Sequence, residues 1–197
     1  MAKELGTALV DMEQVQTHPT VNPDTQTMYT EGVRGNGAIL VNKEGKRFVN
    51  ELETRDVVSA AILEQTDEVC YLLFDQAVRE SLAAIESYVK AGIVTEADTP
   101  EELGEAIGVD GAALAETLKT YAGYQAAGKD EEFARESMEL PLDKPKYYAA
   151  LCAPAIHHTM GGVKINTATE VLKEDGSVIP GLFAAGEVTG GVHGGNR

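Results

Sequence analysis

The sequence predicts an α+β fold in which helices are mixed with short β-sheets. Strand signals, which are short runs of apolar and β-branched residues, occur near both ends of the 197-residue chain. The middle carries apolar residues at helical spacing together with helix-capping signals. The sequence contains no complete nucleotide-binding β-α-β unit, because Gly35-Asn36-Gly37 opens a predicted strand and lacks the third glycine of G-x-G-x-x-G.

The first third of the chain predicts strands followed by one helix. Residues 10–21 form a β-rich stretch, and residues 37–50 predict two strands joined by a glycine-containing turn. A helix is expected over residues 56–65, because its apolar residues fall on one face and Asp56 can cap it. This places Arg55 at the corner between strand and helix.

The middle third predicts one strand and several helices. Residues 69–74 are a short apolar strand, and residues 75–91 have helical spacing. Thr99 is followed by proline and two glutamates, a capping box that predicts a helix over residues 100–107. Asp110 is expected to cap the next helix in the same way.

The last third returns to strand signals. A polar segment over residues 128–146 precedes a strand that begins near Tyr147. Three further short strands are predicted within residues 163–188, separated by turns at Asp175-Gly176 and Pro180-Gly181.

Composition and charge exclude several functional classes. The chain has 16 basic and 32 acidic residues, a formal net charge of −16 and a pI near 4.6. Nucleic acids and anionic membranes bind basic patches, and the sequence has no Lys/Arg cluster, so neither is an expected partner. No apolar run approaches the roughly 20 residues of a membrane span. The sequence therefore predicts a soluble protein and leaves its compartment, cytoplasmic or extracytoplasmic, open.

Metal and hydrolase sites are not expected either. Cys70 and Cys152 lie far apart in the sequence without a C-x-x-C motif, which predicts buried free thiols rather than a disulfide framework or a zinc knuckle. His157 and His158 are adjacent, so on a strand their rings point to opposite faces and cannot chelate one ion. The sequence also lacks a G-x-S-x-G nucleophile elbow.

Arginine and histidine occur beside glycine or other turn residues in four places. These are residues 18–20, residues 30–35 with residues 53–56, residues 157–162, and residues 184–197. A site for a small dianion needs this combination, because each carboxylate requires charged donors and glycine lets backbone N–H groups approach. Each motif alone has an ordinary explanation, namely a surface ion pair, a histidine at a strand end or a glycine turn.

Six motifs in order resemble the flavoprotein subunit of the fumarate reductase and succinate dehydrogenase superfamily, most closely its soluble flavocytochrome c-type fumarate reductases. The resemblance covers nearly the whole chain. The motifs are Q-x-H-P-T at 16–20, T-E-G-x-R-G-x-G at 30–37, G-K-R-F-V-N-E at 45–51, T-R-D at 54–56, H-H-T-M-G-G at 157–162 and G-L-F-A-A-G-E-V-T-G-G-V-H-G-x-N-R at 181–197. Any one of them alone is a weak signal, whereas their shared order is specific.

The resemblance implies an oxidoreductase that adds a hydride from FAD and a proton to a carbon–carbon double bond, most simply converting fumarate to succinate. By motif, the proton donor corresponds to Arg55, supplied through a relay that matches Glu31 and Arg34. An arginine with a pKa above about 12 is a poor acid in isolation, so the relay must provide the proton path. The groups that hold the two carboxylates of the substrate match His18, Thr30, His157 and Arg197.

The resemblance also implies which residues contact the cofactor. Glu187 matches an acidic residue at the adenosine part of FAD. Gly190, Gly191 and His193 match the backbone that passes the flavin.

Three regions follow from the same resemblance. Residues 1–36 and 151–197 correspond to parts of an FAD-binding domain, and residues 37–150 to a mobile capping domain that closes over substrate. Family members carry a G-x-G-x-x-G unit before this region and continue beyond the Asn-Arg pair that ends this sequence. The sequence therefore predicts an excised central fragment, inactive by itself and without retained FAD.

Two alternatives stay open at this point. The isolated chain can be a noncatalytic capping or binding module without flavin, or the parent can reduce a related unsaturated acid such as urocanate or acrylate. Thr30, Glu31 and His18 favour a small dicarboxylate as substrate. The sequence does not specify the electron donor.

Overall fold

The computed structural model describes residues 2–196 and divides the chain into two compact units. Of the described residues, 2–17 and 156–196 form the first unit, and residues 18–155 form the second. Helices and short strands are mixed along the chain, so the predicted α+β class is confirmed. The regions predicted as 1–36, 37–150 and 151–197 divide the chain by expected function and stay a prediction.

Strands and helices are mixed along residues 2–196, and most of them are short. The strands are β1 (Leu9–Val10), β2 (Val15–Val21), β3 (Ile39–Val41), β4 (Cys70–Asp75), β5 (Thr95–Ala97), β6 (Tyr147–Thr159), β7 (Gly162–Val163), β8 (Glu170–Leu172) and β9 (Val178–Phe183). The α-helices are α1 (Glu31–Gly35), α2 (Arg55–Leu63), α3 (Gln76–Ser81), α4 (Ile85–Lys90), α5 (Pro100–Ile107) and α6 (Gly111–Ala127). Short 3-10 turns lie at Lys3–Leu5, Thr66–Glu68 and Gly186–Val188.

A sheet with the strand order β2-β6-β4-β3 forms the centre of the second unit, and β5 also pairs with β6. Strand β4 runs antiparallel to both β3 and β6. All three residues of β3 are fully buried, as expected for a strand covered on both faces. Helix α1 lies between β2 and β3 in the chain.

The helix caps predicted at Thr99 and Asp110 are confirmed. The Thr99 hydroxyl accepts the backbone N–H of Glu102 at 3.1 Å, and α5 begins at the following proline. The Asp110 carboxylate accepts the backbone N–H groups of Ala112 and Ala113 at the start of α6. Each cap satisfies N–H groups that a helix leaves unpaired in its first turn.

The single helix predicted over residues 75–91 is wrong, because the structure has two short helices there. Asp75 caps α3 by accepting the N–H of Val78 at 3.0 Å. The Ser81 hydroxyl donates to the Val78 carbonyl at 2.7 Å and so competes with the helical hydrogen bonds. Leu82 is extended, with φ −141°, and ends α3 before α4 begins.

The second strand predicted within residues 37–50 is also absent. Strand β3 is followed by a turn in which the N–H of Asn42 donates to the Lys46 carbonyl, and only Arg47 bridges back to Val41. The chain leaves the sheet after this bridge because the side chains of Arg47 and Glu51 turn into buried ion pairs. Two other sequence predictions are also wrong. The N-cap of α2 is Thr54 rather than Asp56. The residues predicted to form a turn at Pro180-Gly181 lie inside β9.

The first unit contains two short antiparallel ladders. Strand β1 pairs with β7, and β8 pairs with β9. Val163 also bridges Thr189 in parallel, which holds the segment after the Gly186–Val188 turn against β7. This unit therefore presents a glycine-rich segment beside a small sheet.

The structure places Cys70 and Cys152 opposite each other on the neighbouring strands β4 and β6. Both are buried and neither forms a disulfide, as the sequence predicted, although they lie far apart in the chain. Burial raises the pKa of the Cys70 thiol, which disfavours the reactive thiolate. In the described part of the chain, no helix combines the length and apolarity needed to cross a bilayer.

Candidate active site

Two helix N-termini in the second unit carry the charged residues that the sequence singled out. Glu31 is the first residue of α1 and Arg55 the first residue of α2. An acidic residue is favoured at the positive end of a helix dipole, which suits Glu31. The residue before α1, Thr30, is extended, and its side chain makes no capping hydrogen bond. Its hydroxyl is therefore not committed to ending the helix.

Glu31 lies at the centre of a cluster of three charged side chains. The Nε and Nη2 atoms of Arg55 donate to Oε1 and Oε2 of Glu31, both at 2.8 Å. Nη2 of Arg34 lies 3.5 Å from Oε1 of the same carboxylate. The side chain of Arg34 is 4% exposed, against 16% for Arg55. The structure thus brings together Glu31, Arg34 and Arg55, which the sequence motifs assigned to one relay.

The pKa values of the three side chains in the cluster are shifted for different reasons. Hydrogen bonds from Arg55, together with the positive charges of Arg55 and Arg34, lower the pKa of Glu31 to about 2, against the opposing effect of burial. Burial lowers the pKa of Arg34, although Glu31 partly restores it. The hydrogen bonds to Glu31 raise the pKa of Arg55. Arg34 therefore holds its proton less tightly than Arg55 does.

The low pKa of Glu31 predicts a pH-dependent contribution to stability. Its carboxyl has an ordinary pKa of 4.5 and about 2 in the folded chain, so the stabilisation is complete above pH 4.5 and fades as the pH falls towards 2. Because Glu31 is half exposed, we expect Glu31→Gln to lose no more than about 1 kcal/mol at pH 7. Urea unfolding of both chains at several pH values measures this, and two curves that stay parallel between pH 5 and 2 contradict it.

His18 is buried on β2, and its ring orientation is set by a neighbouring residue. The backbone N–H of Thr20 donates to Nδ1 of His18 at 3.3 Å. An amide N–H can only donate, so Nδ1 carries the lone pair and the ring proton lies on Nε2. The tautomer that results can donate a hydrogen bond from Nε2, as a carboxylate ligand must.

Arg34 is supported from its buried side by residues that the relay motif does not include. Its Nη1 donates to the backbone carbonyl of Glu51. Its own backbone carbonyl accepts Nη2 of Arg135 at 2.9 Å, and Nη1 of Arg135 donates to Oε2 of Glu51 at 3.1 Å. Both the side chain and the backbone of Arg34 are therefore fixed by the pair Glu51 and Arg135.

This support belongs to a larger buried ion-pair network. Arg47 binds Glu51 through Nε and Nη2, at 2.8 and 2.9 Å, and Nη2 also donates to Asp130 at 2.9 Å. The Arg47 guanidinium also faces the rings of Tyr121 and Phe133, at 5.1 and 4.9 Å from their centroids. Two carboxylates thus offset the charges of two arginines inside the core, as buried ions require.

Sequence reasoning found only part of this network. Arg47 and Glu51 lie within the family motif at residues 45–51, which gave no role to either side chain. Arg135 lies in the polar segment 128–146, where nothing in the local pattern distinguishes a fully buried arginine from an exposed one.

The first unit holds the remaining predicted site residues. His157 and His158 are adjacent on β6, where His158 is buried and His157 is only partly so, in keeping with side chains on opposite faces. Nδ1 of His158 is buried and makes no hydrogen bond within residues 2–196. Its ring packs edge-on against His193, with centroids 5.2 Å apart. Arg197 lies outside the described residues.

Glu187 is exposed in the first unit, and of the glycines that follow it Gly190 is buried and Gly191 is exposed. The backbone N–H of Thr159 donates to Oε1 of Glu187 at 3.1 Å, and this bond lowers the pKa of the carboxyl. A Cβ on Gly190 would meet the backbone N of Gly162 at 2.6 Å, so only glycine allows this close approach. Gly191 has φ +86°, which also favours glycine.

These residues fit a bound FAD. The exposed Glu187 carboxylate can accept hydroxyl groups, and glycines in the left-handed region present backbone N–H groups without a covering side chain. The unpaired Nδ1 of His158 beside His193 is a buried polar atom that a ligand group can satisfy. Glu187, Gly190, Gly191 and His193 stay predictions as individual cofactor contacts.

The fold and the cluster around Glu31 belong to a flavoprotein of the fumarate reductase and succinate dehydrogenase superfamily. The chain belongs to the FAD binding domain family, whose profile matches residues 1–197. The predicted superfamily is thereby confirmed, and FAD is the cofactor that the family indicates.

Individual relatives agree with this assignment. Over all of its length, the chain is 52% identical to "Fumarate reductase (cytochrome)" of Shewanella frigidimarina and 40% identical to "Urocanate reductase" of Eggerthella lenta, and it covers 34% of each. It also matches the solved open conformation of a flavocytochrome c3 fumarate reductase, with a TM-score of 0.85, 47% identity, and coverage of 100% of this chain and 35% of that one. The chain spans about a third of the length of the curated relatives it matches.

The 197-residue chain by itself is expected to bind FAD weakly or not at all. It contains no G-x-G-x-x-G turn, and the helix N-terminus that such a turn opens supplies many of the contacts to the pyrophosphate. Gel filtration of the chain after incubation with excess FAD, followed by absorbance at flavin wavelengths, measures retention. A flavin retained at one equivalent per chain contradicts the prediction.

Proposed function

We propose that this chain is the substrate-binding and proton-delivering part of a longer FAD-dependent reductase that converts a small unsaturated dicarboxylate, fumarate, to its saturated product, succinate. Bound FAD, when reduced, supplies a hydride to one alkene carbon of the substrate. The residues of this chain hold the carboxylates, keep the substrate oriented and supply a proton to the other alkene carbon. Together the hydride and the proton saturate the double bond, and the product keeps both negative charges.

The observation that carries the proposal is the contact of two arginines with one glutamate. Arg55 donates two hydrogen bonds to Glu31, and Arg34 reaches the same carboxylate from the buried side. Arg55 transfers its proton to the substrate, Glu31 returns a proton to Arg55, and Arg34 resupplies Glu31. Burial lowers the pKa of Arg34, so its proton is more easily given up than an ordinary arginine's.

The carboxylates of the substrate are assigned to residues with donor groups. His18 offers Nε2–H, and the Thr30 side chain is not used as a helix cap. His157 and Arg197 are assigned to the substrate by the order of the motifs alone. Donors that hold both carboxylates polarise the double bond and place its carbons for transfer.

Substrate choice follows from the charge around Glu31. Two arginines and a donating histidine suit a dianion better than a monoanion. An imidazole-bearing acid such as urocanate needs a neutral or aromatic partner near Glu31, and the relative named "Urocanate reductase" is the reason to test this acid directly.

The test is an assay of the full-length, FAD-loaded protein with a chemically reduced viologen dye as electron donor. Fumarate, urocanate and acrylate are compared at equal concentrations, and we expect the highest kcat/KM with fumarate. Faster turnover of either monoanion contradicts the dicarboxylate assignment. Absence of turnover with all three acids, in a protein shown to hold flavin, favours the noncatalytic alternative.

A further inference from the structure

Tyr88 connects the helices of the middle region to the start of α1. Its hydroxyl oxygen accepts the backbone N–H of Thr30 at 3.1 Å. Thr30 is the N-cap residue of α1, and Tyr88 lies on α4, 58 residues further along the chain. The Tyr88 hydroxyl oxygen therefore fixes the backbone of Thr30. Thr30 is a proposed ligand of a substrate carboxylate, and it directly precedes α1, the helix that carries Glu31 and Arg34.

Tyr29 holds Tyr88 in place from the other side. The two rings pack edge to face, with centroids 5.0 Å apart and an interplanar angle of 85°. The hydroxyl of Tyr29 donates to the Ile93 carbonyl at 3.0 Å, and the N–H of Ile93 donates in turn to the Tyr88 carbonyl at 3.3 Å. Both rings are at least nine-tenths buried. We call Tyr29 and Tyr88 the tyrosine bracket.

The tyrosine bracket also reaches the strand that carries His18. The Thr20 hydroxyl donates to the Tyr29 carbonyl at 3.1 Å, and the N–H of Tyr29 donates to the Thr20 carbonyl at 2.9 Å. The N–H of Thr20 is the donor that sets the tautomer of His18. His18 and Thr30 are thus connected to the same pair of rings by separate hydrogen bonds.

We propose that Tyr88 is a positioning residue for substrate binding, which holds the Thr30 end of the carboxylate site through its hydroxyl oxygen. The inference rests on the function proposed above and adds a residue to it. Tyr88 does not itself act on the reacting atoms. Its effect reaches the substrate through the backbone of Thr30.

The geometry separates this role from proton delivery. Glu31 is held by Arg55, and Arg34 is held by Glu51 and Arg135, with no contact to the tyrosine bracket among these bonds. Loss of the Tyr88 oxygen therefore loosens Thr30 while the relay keeps its own hydrogen bonds. The expected result is weaker substrate binding with nearly unchanged chemistry.

The test compares Tyr88→Phe with Tyr121→Phe in the full-length, FAD-loaded protein. Tyr121 is a fitting control because it is fully buried in the same unit and its hydroxyl makes no hydrogen bond within residues 2–196. We expect Tyr88→Phe to raise KM for fumarate, and Kd for fumarate on the oxidised protein, about three- to tenfold, the effect of one lost hydrogen bond. We expect kcat to stay within about twofold of wild type. Tyr121→Phe should leave KM, Kd and kcat unchanged.

A second measurement does not depend on turnover. Hydrogen exchange of the Thr30 amide, followed by NMR or by mass spectrometry of the peptide that contains it, should become faster in Tyr88→Phe and not in Tyr121→Phe. Unchanged Thr30 exchange, or faster exchange with unchanged Kd and KM, overturns the role of Tyr88. A fall in kcat with unchanged Kd overturns it as well. If the wild-type protein neither binds nor reduces fumarate, the proposed function itself is contradicted. That outcome is separate from the results for Tyr88→Phe and Tyr121→Phe.

Discussion

Arg55→Lys in the full-length, FAD-loaded protein is expected to lower kcat for fumarate by about 10³-fold, within the usual range for losing a positioned general acid. Arginine binds Glu31 through two nitrogens in one plane, which fixes the third nitrogen of the guanidinium. Lysine keeps the positive charge but has a single flexible donor atom, so the proton no longer sits between Glu31 and the alkene carbon. KM should change little, because other residues hold the carboxylates.

Arg79→Lys is the matched control for this substitution. Arg79 also binds a glutamate through Nε and Nη2, at 2.6 and 3.0 Å to Glu86, and its side chain is 21% exposed. It lies in the same unit and has no proposed role in the reaction. Turnover should therefore be retained in Arg79→Lys. Near-wild-type kcat in Arg55→Lys removes Arg55 from the mechanism, and an equal loss in both variants shows a general effect of replacing arginine.

Local features of this fold could be predicted because the interactions that set them span two or three residues. Thr99 and Asp110 cap α5 and α6 as expected, since each cap contacts N–H groups immediately downstream. The buried strand β4 was likewise visible as a short apolar run. Glu31, Arg34 and Arg55 were found because their motifs occur in the order of a known family, not because periodicity placed them together.

Features set by a competing local hydrogen bond, by burial of charged side chains or by distant residues could not be predicted. The helix expected over residues 75–91 is broken where Ser81 bonds back to Val78, a choice that helical spacing does not reveal. The second strand of the expected hairpin is replaced by a segment whose Arg47 and Glu51 are paired in the core. Tyr88 meets Thr30 only in the folded chain, so no pattern within α4 marks it.

Arg135 is the clearest case of a residue hidden in its sequence context and important in the structure. Its side chain is fully buried, and each of its three nitrogen atoms has a partner: Nε binds the Ser137 carbonyl, Nη1 the Ala38 carbonyl and Glu51, and Nη2 the Arg34 carbonyl. Four acceptors from separate segments therefore converge on one guanidinium. This side chain attaches the segment 128–146 to α1 and to the residue that precedes β3.

Arg135→Ala is expected to reduce the free energy of unfolding of the 197-residue chain by about 3–5 kcal/mol, the usual loss when one partner of a buried ion pair is removed. The variant leaves Glu51 short of one cationic partner and three carbonyls without their donor, all away from water. Urea unfolding followed by circular dichroism measures the difference.

Lys129→Ala is the control from the same segment, because Lys129 is 74% exposed and pairs only with Glu131 among the described ion pairs, so its loss should stay within about 0.5 kcal/mol. If Arg135→Ala does not fold, Arg135→Lys should fold with a smaller but clear loss, since an ammonium reaches fewer of the four acceptors. A loss below about 1 kcal/mol in Arg135→Ala would show that these hydrogen bonds do not hold the segment in place.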